Sequence, residues 1–181
     1  MPRRNQNKNR FLECIREEMP AYISSHIIDV VNVIGDGHCG YRVIGLALEM
    51  GDNWLQVRKD LIEEINANEF LYNNMFRSSR RSELLLSLDC SSIPAPLDKW
   101  MTMPDMRLII ASRYNVAVVH YSKFQFFTFL PLHSAPTLNR KTIFIGFVND
   151  NHFIRLLMSE DCPLPPVVSM WMRYHASVAE G

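Results

Sequence analysis

A cysteine placed where a glycine-rich turn meets a helix is the feature of this sequence that most favours covalent chemistry. Cys39 follows the turn Gly35-Asp36-Gly37-His38, and the residues after it have the apolar spacing of a helix. A helix N-terminus carries unpaired amides and about half a positive charge, and both favour a thiolate. The glycines permit a close backbone approach, so that amides of the turn, at Gly37 and His38, point at a developing oxyanion. Cys39 is therefore the candidate nucleophile, with a lowered pKa expected.

A cysteine nucleophile needs a base, which is commonly a histidine from a distant part of the chain. His152 is the best placed of the six histidines, because it follows the polar turn Asn149-Asp150-Asn151 and opens a β-rich segment. His38 is the residue directly before the cysteine, and this adjacency points the His38 ring away from the thiol. His120 lies inside an apolar strand. We therefore predict a pair formed by the Cys39 thiol and the His152 imidazole.

Helical spacing dominates the first part of the chain, and strand spacing follows it. A first strand, Ile27–Ile34, leads into the cysteine turn. This order predicts an α+β fold with one small sheet packed on helices. The predicted helices are 11–19, 39–50, 54–65, the weaker 69–76 and 82–88, and 105–113, and the predicted later strands are 116–121, 126–130, 143–148 and 152–158.

The composition narrows the class of protein. The 181 residues include 19 basic and 19 acidic side chains, so the zero net charge gives no general attraction to nucleic acid or anionic membranes. The four cysteines stand singly, without the spacing of zinc ligands. No apolar run has the length of a membrane span, and the basic N-terminus does not have the pattern of a secretory signal. We expect a cytoplasmic or nuclear protein with free thiols, no metal, no cofactor, and no specific nucleic-acid or membrane partner.

Two strings of the sequence resemble a known family. The string Asp36-Gly37-His38-Cys39-Gly40-Tyr41-Arg42 resembles the motif Asp-Gly-x-Cys-x-aromatic-Arg of the ovarian-tumour (OTU) family of cysteine deubiquitinases. Asn151-His152-Phe153 resembles the closing Asn-His-aromatic segment of that family. Trp100 and the helix and strand over 105–121 match the family order between them. The resemblance covers residues 25–160 and is greatest to OTU domains of mobile elements and viruses.

The resemblance implies a papain-like OTU fold and a ubiquitin-specific thiol isopeptidase. Cys39 would attack the Gly–Lys isopeptide carbonyl of a ubiquitin or polyubiquitin conjugate, and His152 would act as general base and later as general acid. Asp36 is the third residue that the family pattern marks, near the oxyanion site. The catalytic domain is predicted over 25–160, between a basic leader with a helix (1–24) and a peripheral proline-containing tail (161–181).

One position departs from the family pattern. Many members place Asn or Asp two residues after the histidine to orient the imidazole, whereas this sequence has Ile154 there. The first candidate to replace it is Asp150, followed by Asn149 and Asn151, and an upstream acid such as Asp29 is a further one. A dyad without an orienting residue is the other alternative.

Two other functions stay open at this stage. The first is a catalytically weak ubiquitin-binding module with the same fold. The second is a deconjugase for another ubiquitin-like modifier. A binding module would bind ubiquitin without covalent labelling of Cys39. A deconjugase of the second kind would react preferentially with a probe made from its own modifier.

Overall fold

The computed structural model describes residues 2–180, in which helices cover both faces of a five-stranded sheet. This arrangement confirms the predicted α+β fold. In chain order the elements are α1 (Pro2–Glu18), α2 (Ala21–Ser24), β1 (Ile27–Val31), α3 (Cys39–Ala47), α4 (Trp54–Ala67), α5 (Glu69–Met75), α6 (Ser78–Leu88), a 3-10 turn (Leu97–Lys99), α7 (Asp105–Tyr114), β2 (Ala117–Tyr121), β3 (Phe126–Phe129), β4 (Thr142–Val148), β5 (His152–Met158), α8 (Ser169–Tyr174) and a second 3-10 turn (Ser177–Ala179).

The topology of the sheet brings the cysteine turn next to His152. The strand order is β1-β5-β4-β2-β3, and all neighbours are antiparallel except the parallel pair β2 and β4. Because β1 and β5 run antiparallel, the C-terminal end of β1 lies beside the N-terminal end of β5, with Val31 opposite Arg155. The chain leaves β1 directly for the cysteine turn, and β5 begins at His152.

Apolar side chains fill both faces of the sheet. On one face, α1 contributes Ile15 and α2 contributes Ile23 to a buried cluster with residues of the strands, and Met19, just after α1, joins them. The other face packs on α3 and α7, and α4 packs behind these two helices in a larger cluster. Burial of each large aliphatic side chain stabilises the fold by about 1.5–3 kcal/mol relative to exposure. Among residues 2–180, no helix combines the length and the apolar character needed to cross a membrane.

The C-terminal segment differs from the expectation of a peripheral tail. Helix α8 forms within it, and Trp171 is buried in the larger core cluster. The indole N–H of Trp171 donates a hydrogen bond to the carbonyl oxygen of Pro131 (2.9 Å). A short amphipathic element after several prolines has too few turns for its period to be read from sequence. The division of the chain into leader, domain and tail stays a prediction.

A buried carboxylate joins the loop after β3 to helix α4. The carboxylate oxygen Oε1 of Glu64 accepts hydrogen bonds from the Tyr72 hydroxyl (2.8 Å) and from Nε2 of His133 (2.7 Å). The hydrogen bond to Glu64 raises the pKa of His133 above its ordinary value, although burial opposes this change.

We expect His133→Ala to destabilise the fold more near pH 6 than near pH 9. A raised pKa in the folded state means that the stabilisation is complete below the unfolded pKa of about 6.5 and is lost as pH rises through the folded value. Because the imidazole is partly exposed, we expect a loss of about 1 kcal/mol at the lower pH. Urea unfolding at both pH values measures this difference. His133→Gln, which cannot become charged, should show the same change in pH dependence. Equal losses at both pH values would contradict the assignment.

Candidate active site

Cys39 and His152 line one cavity of about 310 Å³ between the start of α3 and the turn that joins β4 to β5. The Cys39 side chain is buried, with 4% of its residue surface exposed. Within the described residues no hydrogen bond joins the Cys39 thiol directly to the His152 imidazole. Hydrogen bonds between catalytic groups are often long in an enzyme without substrate and tighten when substrate binds. The remaining lining residues are Asn32, Val33, Gly35, Gly37, Trp100, Asn149 and Asn151.

The imidazole of His152 is held by Asn32, which the sequence analysis did not single out. Nε2 of His152 lies 2.8 Å from Oδ1 of Asn32, which also accepts a hydrogen bond from the Val33 amide (3.0 Å). Because an amide oxygen only accepts, Nε2 carries the proton and Nδ1 keeps its lone pair. Nδ1 lies on the side of the ring that faces Gly35, in the cysteine turn. The tautomer therefore suits proton abstraction by Nδ1.

Asn32 also explains why strand β1 is shorter than predicted. The sequence predicts a strand to Ile34, but β1 ends at Val31. The Asn32 side chain bonds the next backbone amide, and such local bonds compete with strand pairing. The break in the strand thus places a polar side chain beside His152.

The residues proposed from sequence to orient His152 do not hydrogen-bond it in the structure. Asp150 and Asn151 are exposed in the turn between β4 and β5. The backbone N–H of Asn149 donates a hydrogen bond to Oε2 of Glu18 in α1 (2.8 Å), and Asn149 lies at the rim of the cavity. The Asp29 carboxylate pairs with a lysine of α1.

Ile154, at the position where many family members carry Asn or Asp, belongs to the core. It is fully buried in the cluster beneath α1, which also contains Met19. A Cβ atom added to Gly146 on the neighbouring strand would lie 3.0 Å from Ile154 and 3.2 Å from Met19. A polar side chain at residue 154 would be buried in this apolar layer, and Asn32, just after β1, contacts the imidazole instead.

Asp36 shapes the cysteine turn without bonding the thiol or the imidazole. Its carboxylate accepts hydrogen bonds from Nη2 of Arg42 (2.6 Å) and from the His38 amide (3.1 Å). Burial raises the pKa of the Asp36 carboxyl, but the hydrogen bonds from Arg42 and His38 together lower it by more. The pKa of Asp36 therefore lies below its ordinary value. Arg42 also pairs with Asp52, which follows α3. This network fixes the turn to the helix that it precedes.

The same contacts revise the assignment of the oxyanion donors. The His38 amide is used by Asp36, so it does not point freely into the cavity. In the described chain the amides of Gly37 and Cys39 donate no hydrogen bond to an oxygen acceptor, and both residues line the cavity. Gly37 therefore stays a candidate oxyanion donor, and the amide of Cys39 joins it.

The His38 side chain is turned into the protein and anchors the turn from behind. Nε2 lies 2.8 Å from the Ser92 carbonyl oxygen, and Nδ1 accepts a hydrogen bond from Nε of Arg58 (3.1 Å). The ring stacks on Trp54 at 3.6 Å. Burial lowers the pKa of His38, so the ring is neutral and donates through Nε2. His38 is therefore a structural residue, as its position next to Cys39 suggested.

Arg58 is a buried residue of the site that sequence reasoning missed. It is 1% exposed and also donates to the carbonyl oxygens of Ser87 (2.9 Å) and Lys99 (2.8 Å). Its guanidinium carbon lies 3.9 Å from the centre of the Tyr41 ring. It lies within a predicted amphipathic helix, where an arginine ordinarily faces solvent. The sequence carried no mark of its burial.

Gly37 is required by close packing. Its φ is +86°, and a Cβ atom there would lie 2.6 Å from Nε1 of Trp100 and 2.8 Å from Cβ of Ala95. The Ala95 amide donates to the Asp36 carbonyl oxygen (2.8 Å) and the Trp100 indole donates to the Ala95 carbonyl oxygen (3.1 Å). The loop before α7 thus forms one wall of the cavity, and Trp100 contributes to that wall.

The electrostatic state of the resting pair differs from the expectation. Burial raises the pKa of the Cys39 thiol, and the backbone amides of Phe153 and Gly40 offset this only in part. Burial also lowers the pKa of His152. The expected lowering of the cysteine pKa by the helix N-terminus is thus outweighed by desolvation, which a local pattern does not report. Both shifts favour the neutral forms, the thiol of Cys39 and the imidazole of His152, over an ion pair.

A second cavity of about 620 Å³ adjoins the first, and Asn149 lines both. Its walls are mainly apolar, with polar side chains from the β2–β3 loop and the β4–β5 turn at its rim. His120, on β2, is 1% exposed and borders this cavity. The apolar lining residues are Met101, Met103, Phe124, Phe147 and Phe153.

Comparison with known proteins identifies the fold. No protein-family model matches the chain, and no curated protein sequence matches it either. Among solved structures, the OTU domain of OTUD1 is similar with a TM-score of 0.54 and 13% identity, over 71% of this chain and 85% of that one. The viral OTU protease of Dera Ghazi Khan virus has a TM-score of 0.48 at 13% identity, over 76% and 85%. The Hazara virus OTU bound to ubiquitin has a TM-score of 0.49 at 14% identity, over 80% and 84%. The chain has the fold of an OTU domain.

Proposed function

We propose that this chain is a cysteine-type deubiquitinase that cleaves the isopeptide bond between the C-terminal glycine of ubiquitin and a lysine. The observation that carries the proposal is the joint placement of Cys39 and His152 on one cavity, with Asn32 fixing the imidazole tautomer. The OTU fold and the cysteine motif that resembles the OTU deubiquitinases support it.

In the first half of the proposed reaction, Nδ1 of His152 takes the proton of the Cys39 thiol. The thiolate attacks the isopeptide carbonyl carbon, and the carbonyl oxygen becomes an oxyanion. Amides of Gly37 and Cys39 stabilise that charge. The imidazolium then gives its proton to the lysine nitrogen as the C–N bond breaks, which leaves a thioester on Cys39.

In the second half, His152 takes a proton from a water molecule that attacks the thioester. The C–S bond breaks, and the imidazolium returns its proton to the Cys39 thiolate. The C-terminal carboxylic acid of ubiquitin loses the second proton of the water to solvent and leaves as a carboxylate. Asn32 holds the ring through both halves, since it accepts from Nε2 in the neutral and the protonated imidazole alike.

The shape of the two cavities suits an extended tail that ends in two glycines. Gly35, Gly37 and Trp100 line the smaller cavity beside Cys39 and His152, and glycines, which have no side chains, allow the closest approach to those walls. The larger apolar cavity then has room for a side chain further from the scissile bond. Ubiquitin conjugates are therefore the proposed substrates, with other ubiquitin-like modifiers as the alternative.

Reaction of the full chain with ubiquitin that carries a C-terminal electrophile tests this proposal. We expect one covalent adduct located on Cys39 by peptide mass spectrometry, and none with Cys39→Ala. A panel of di-ubiquitins should then be cleaved by the wild-type chain only. Iodoacetamide should abolish cleavage.

Two outcomes would overturn the proposal. Tight binding of ubiquitin with neither labelling nor cleavage would establish the weak module in its place. Preferential labelling by a probe built on another ubiquitin-like modifier would establish a different substrate for the same mechanism.

Replacing Asn32 with alanine is expected to lower kcat by about 10²-fold, because a freely rotating imidazole seldom presents Nδ1 to the thiol. Asn32→Asp should retain most activity and raise the pKa of His152, since a carboxylate favours the imidazolium. The pH profile of di-ubiquitin cleavage measures both effects. Asn73→Ala, at an exposed position of α5 outside both cavities, is the control and should change kcat little. An equal loss in the two alanine variants would contradict the assignment of Asn32.

A further inference from the structure

Arg107 is a buried cation that the reaction described so far does not use. It lies on α7, is 0% exposed, and donates one long hydrogen bond from Nη1 to the Thr102 carbonyl oxygen (3.4 Å). Nε and Nη2 have no hydrogen-bond partner among residues 7–180, whose side chains the structure describes. No carboxylate of the described chain pairs with it, whereas buried charges ordinarily have an ionic partner.

Phe153 connects this cation to the reacting pair. The guanidinium carbon of Arg107 lies 4.6 Å from the centre of the Phe153 ring, within the range of a cation–π contact. Phe153 directly follows His152 in β5, and its backbone amide lowers the pKa of the Cys39 thiol. The Phe153 ring thus contacts the cation, and the residue before it, His152, lines one cavity with Cys39.

The Arg107 guanidinium has no negatively charged partner in the described chain, and the Cys39 thiolate would be one. Burial lowers the pKa of Arg107 to about 9, and negative charge on Tyr41 or Cys39 would raise it again. The Tyr41 hydroxyl does not supply that charge, because burial raises its pKa to about 12. Cys39 is therefore the nearby group able to become an anion during the reaction.

Of the other titratable groups around the pair, only the Asp36 carboxylate opposes this interaction. On β2, burial and the charge of Arg107 lower the pKa of His120 to about 2, so His120 stays neutral. On α4, Arg58 stacks on the Tyr41 ring and adds positive charge. Asp36 raises the pKa of Cys39, but its carboxylate is paired with Arg42.

We propose that Arg107 is a positioning residue whose buried guanidinium, held over Phe153, stabilises the Cys39 thiolate. This inference deepens the proposed function and rests on Cys39 as its nucleophile. The interaction is absent from the resting thiol and appears only when the proton leaves, so it favours the reactive form over the resting form.

The test is the pH dependence of Cys39 alkylation by iodoacetamide in the full chain, followed at Cys39 by peptide mass spectrometry. Arg107→Met, which keeps length and apolar contact, should raise the apparent pKa and slow alkylation at neutral pH by about tenfold. Arg107→Lys, which keeps the charge, should stay within about threefold of the wild type. Arg113→Met, on the solvent side of the same helix, is the matched control and should not shift the profile.

A folded Arg107→Met variant with the wild-type profile would overturn the inference. So would a tenfold loss in Arg107→Lys, which decides the matter even if the methionine variant does not fold. Alkylation requires no ubiquitin, so this test stands if the ubiquitin probe fails to react. Conversely, if Arg107→Met has the wild-type pH profile of alkylation, the inference about Arg107 fails. Labelling of the wild-type chain by the ubiquitin probe would still support the proposed function.

Discussion

His152→Ala is expected to lower the rate of di-ubiquitin cleavage by at least about 10³-fold without unfolding the chain. The imidazole both removes the thiol proton and protonates the leaving lysine, so its loss removes two proton transfers of one turnover. The resting thiol makes the loss severe, because burial raises the pKa of Cys39 and little thiolate forms without the base. Single-turnover cleavage measures the chemical step directly.

The control for this variant is another histidine of the same chain. His175 bonds Glu180 in the C-terminal segment, outside both cavities, and His175→Ala should retain cleavage within about twofold of the wild type. Thermal unfolding of both variants separates loss of chemistry from loss of fold. Cleavage by His152→Ala within tenfold of the wild-type rate would remove His152 from the mechanism.

Gly37→Ala is expected to destabilise the fold by about 2–5 kcal/mol and to lower cleavage by about 10²-fold. Two physical effects add at this position. The φ of +86° strains any residue that has a Cβ atom, and that atom would overlap Trp100 and Ala95. Relief of the overlap moves the loop wall or the cysteine turn, and either shift misplaces the amides that face the oxyanion.

Gly51 offers a matched control, because its φ is +65° and an added Cβ atom meets nothing within 4 Å. Gly51→Ala should therefore cost only the backbone strain, about 1 kcal/mol, and leave cleavage unchanged. Urea unfolding of the two variants gives the difference that belongs to the overlap alone. Equal losses in stability would show that the contact with Trp100 and Ala95 carries no weight.

The sequence singled out Cys39 and His152, which line one cavity in the structure, because each of them is marked locally. A cysteine after a turn with two glycines and a histidine after a polar turn are visible without knowledge of the sheet. The α+β class followed from the change in apolar period along the chain. The strand order was not predictable in the same way, because pairing of β1 with β5 depends on contacts between segments far apart in sequence.

The residues that support the pair were missed for the same physical reason. The contact of Asn32 with His152 depends on the pairing of β1 with β5, which the sequence does not show, although Asp29 on β1 was a candidate from sequence. Arg58 and Arg107 are buried by helices whose packing no single segment specifies. The raised pKa of Cys39 likewise depends on total burial, so the local helix terminus suggested the opposite direction.

The inward-facing His38 bears on whether the cysteine turn could be transplanted. The family motif leaves the residue before the cysteine unspecified, yet here that side chain is inserted between Trp54, Arg58 and the Ser92 carbonyl oxygen. A graft of residues 35–42 into another scaffold would leave the imidazole without these three neighbours. The unit that evolution or an engineer can exchange is therefore the turn together with its contacts on α4 and on the loop after α6. Residues 38, 54 and 58 must be changed together.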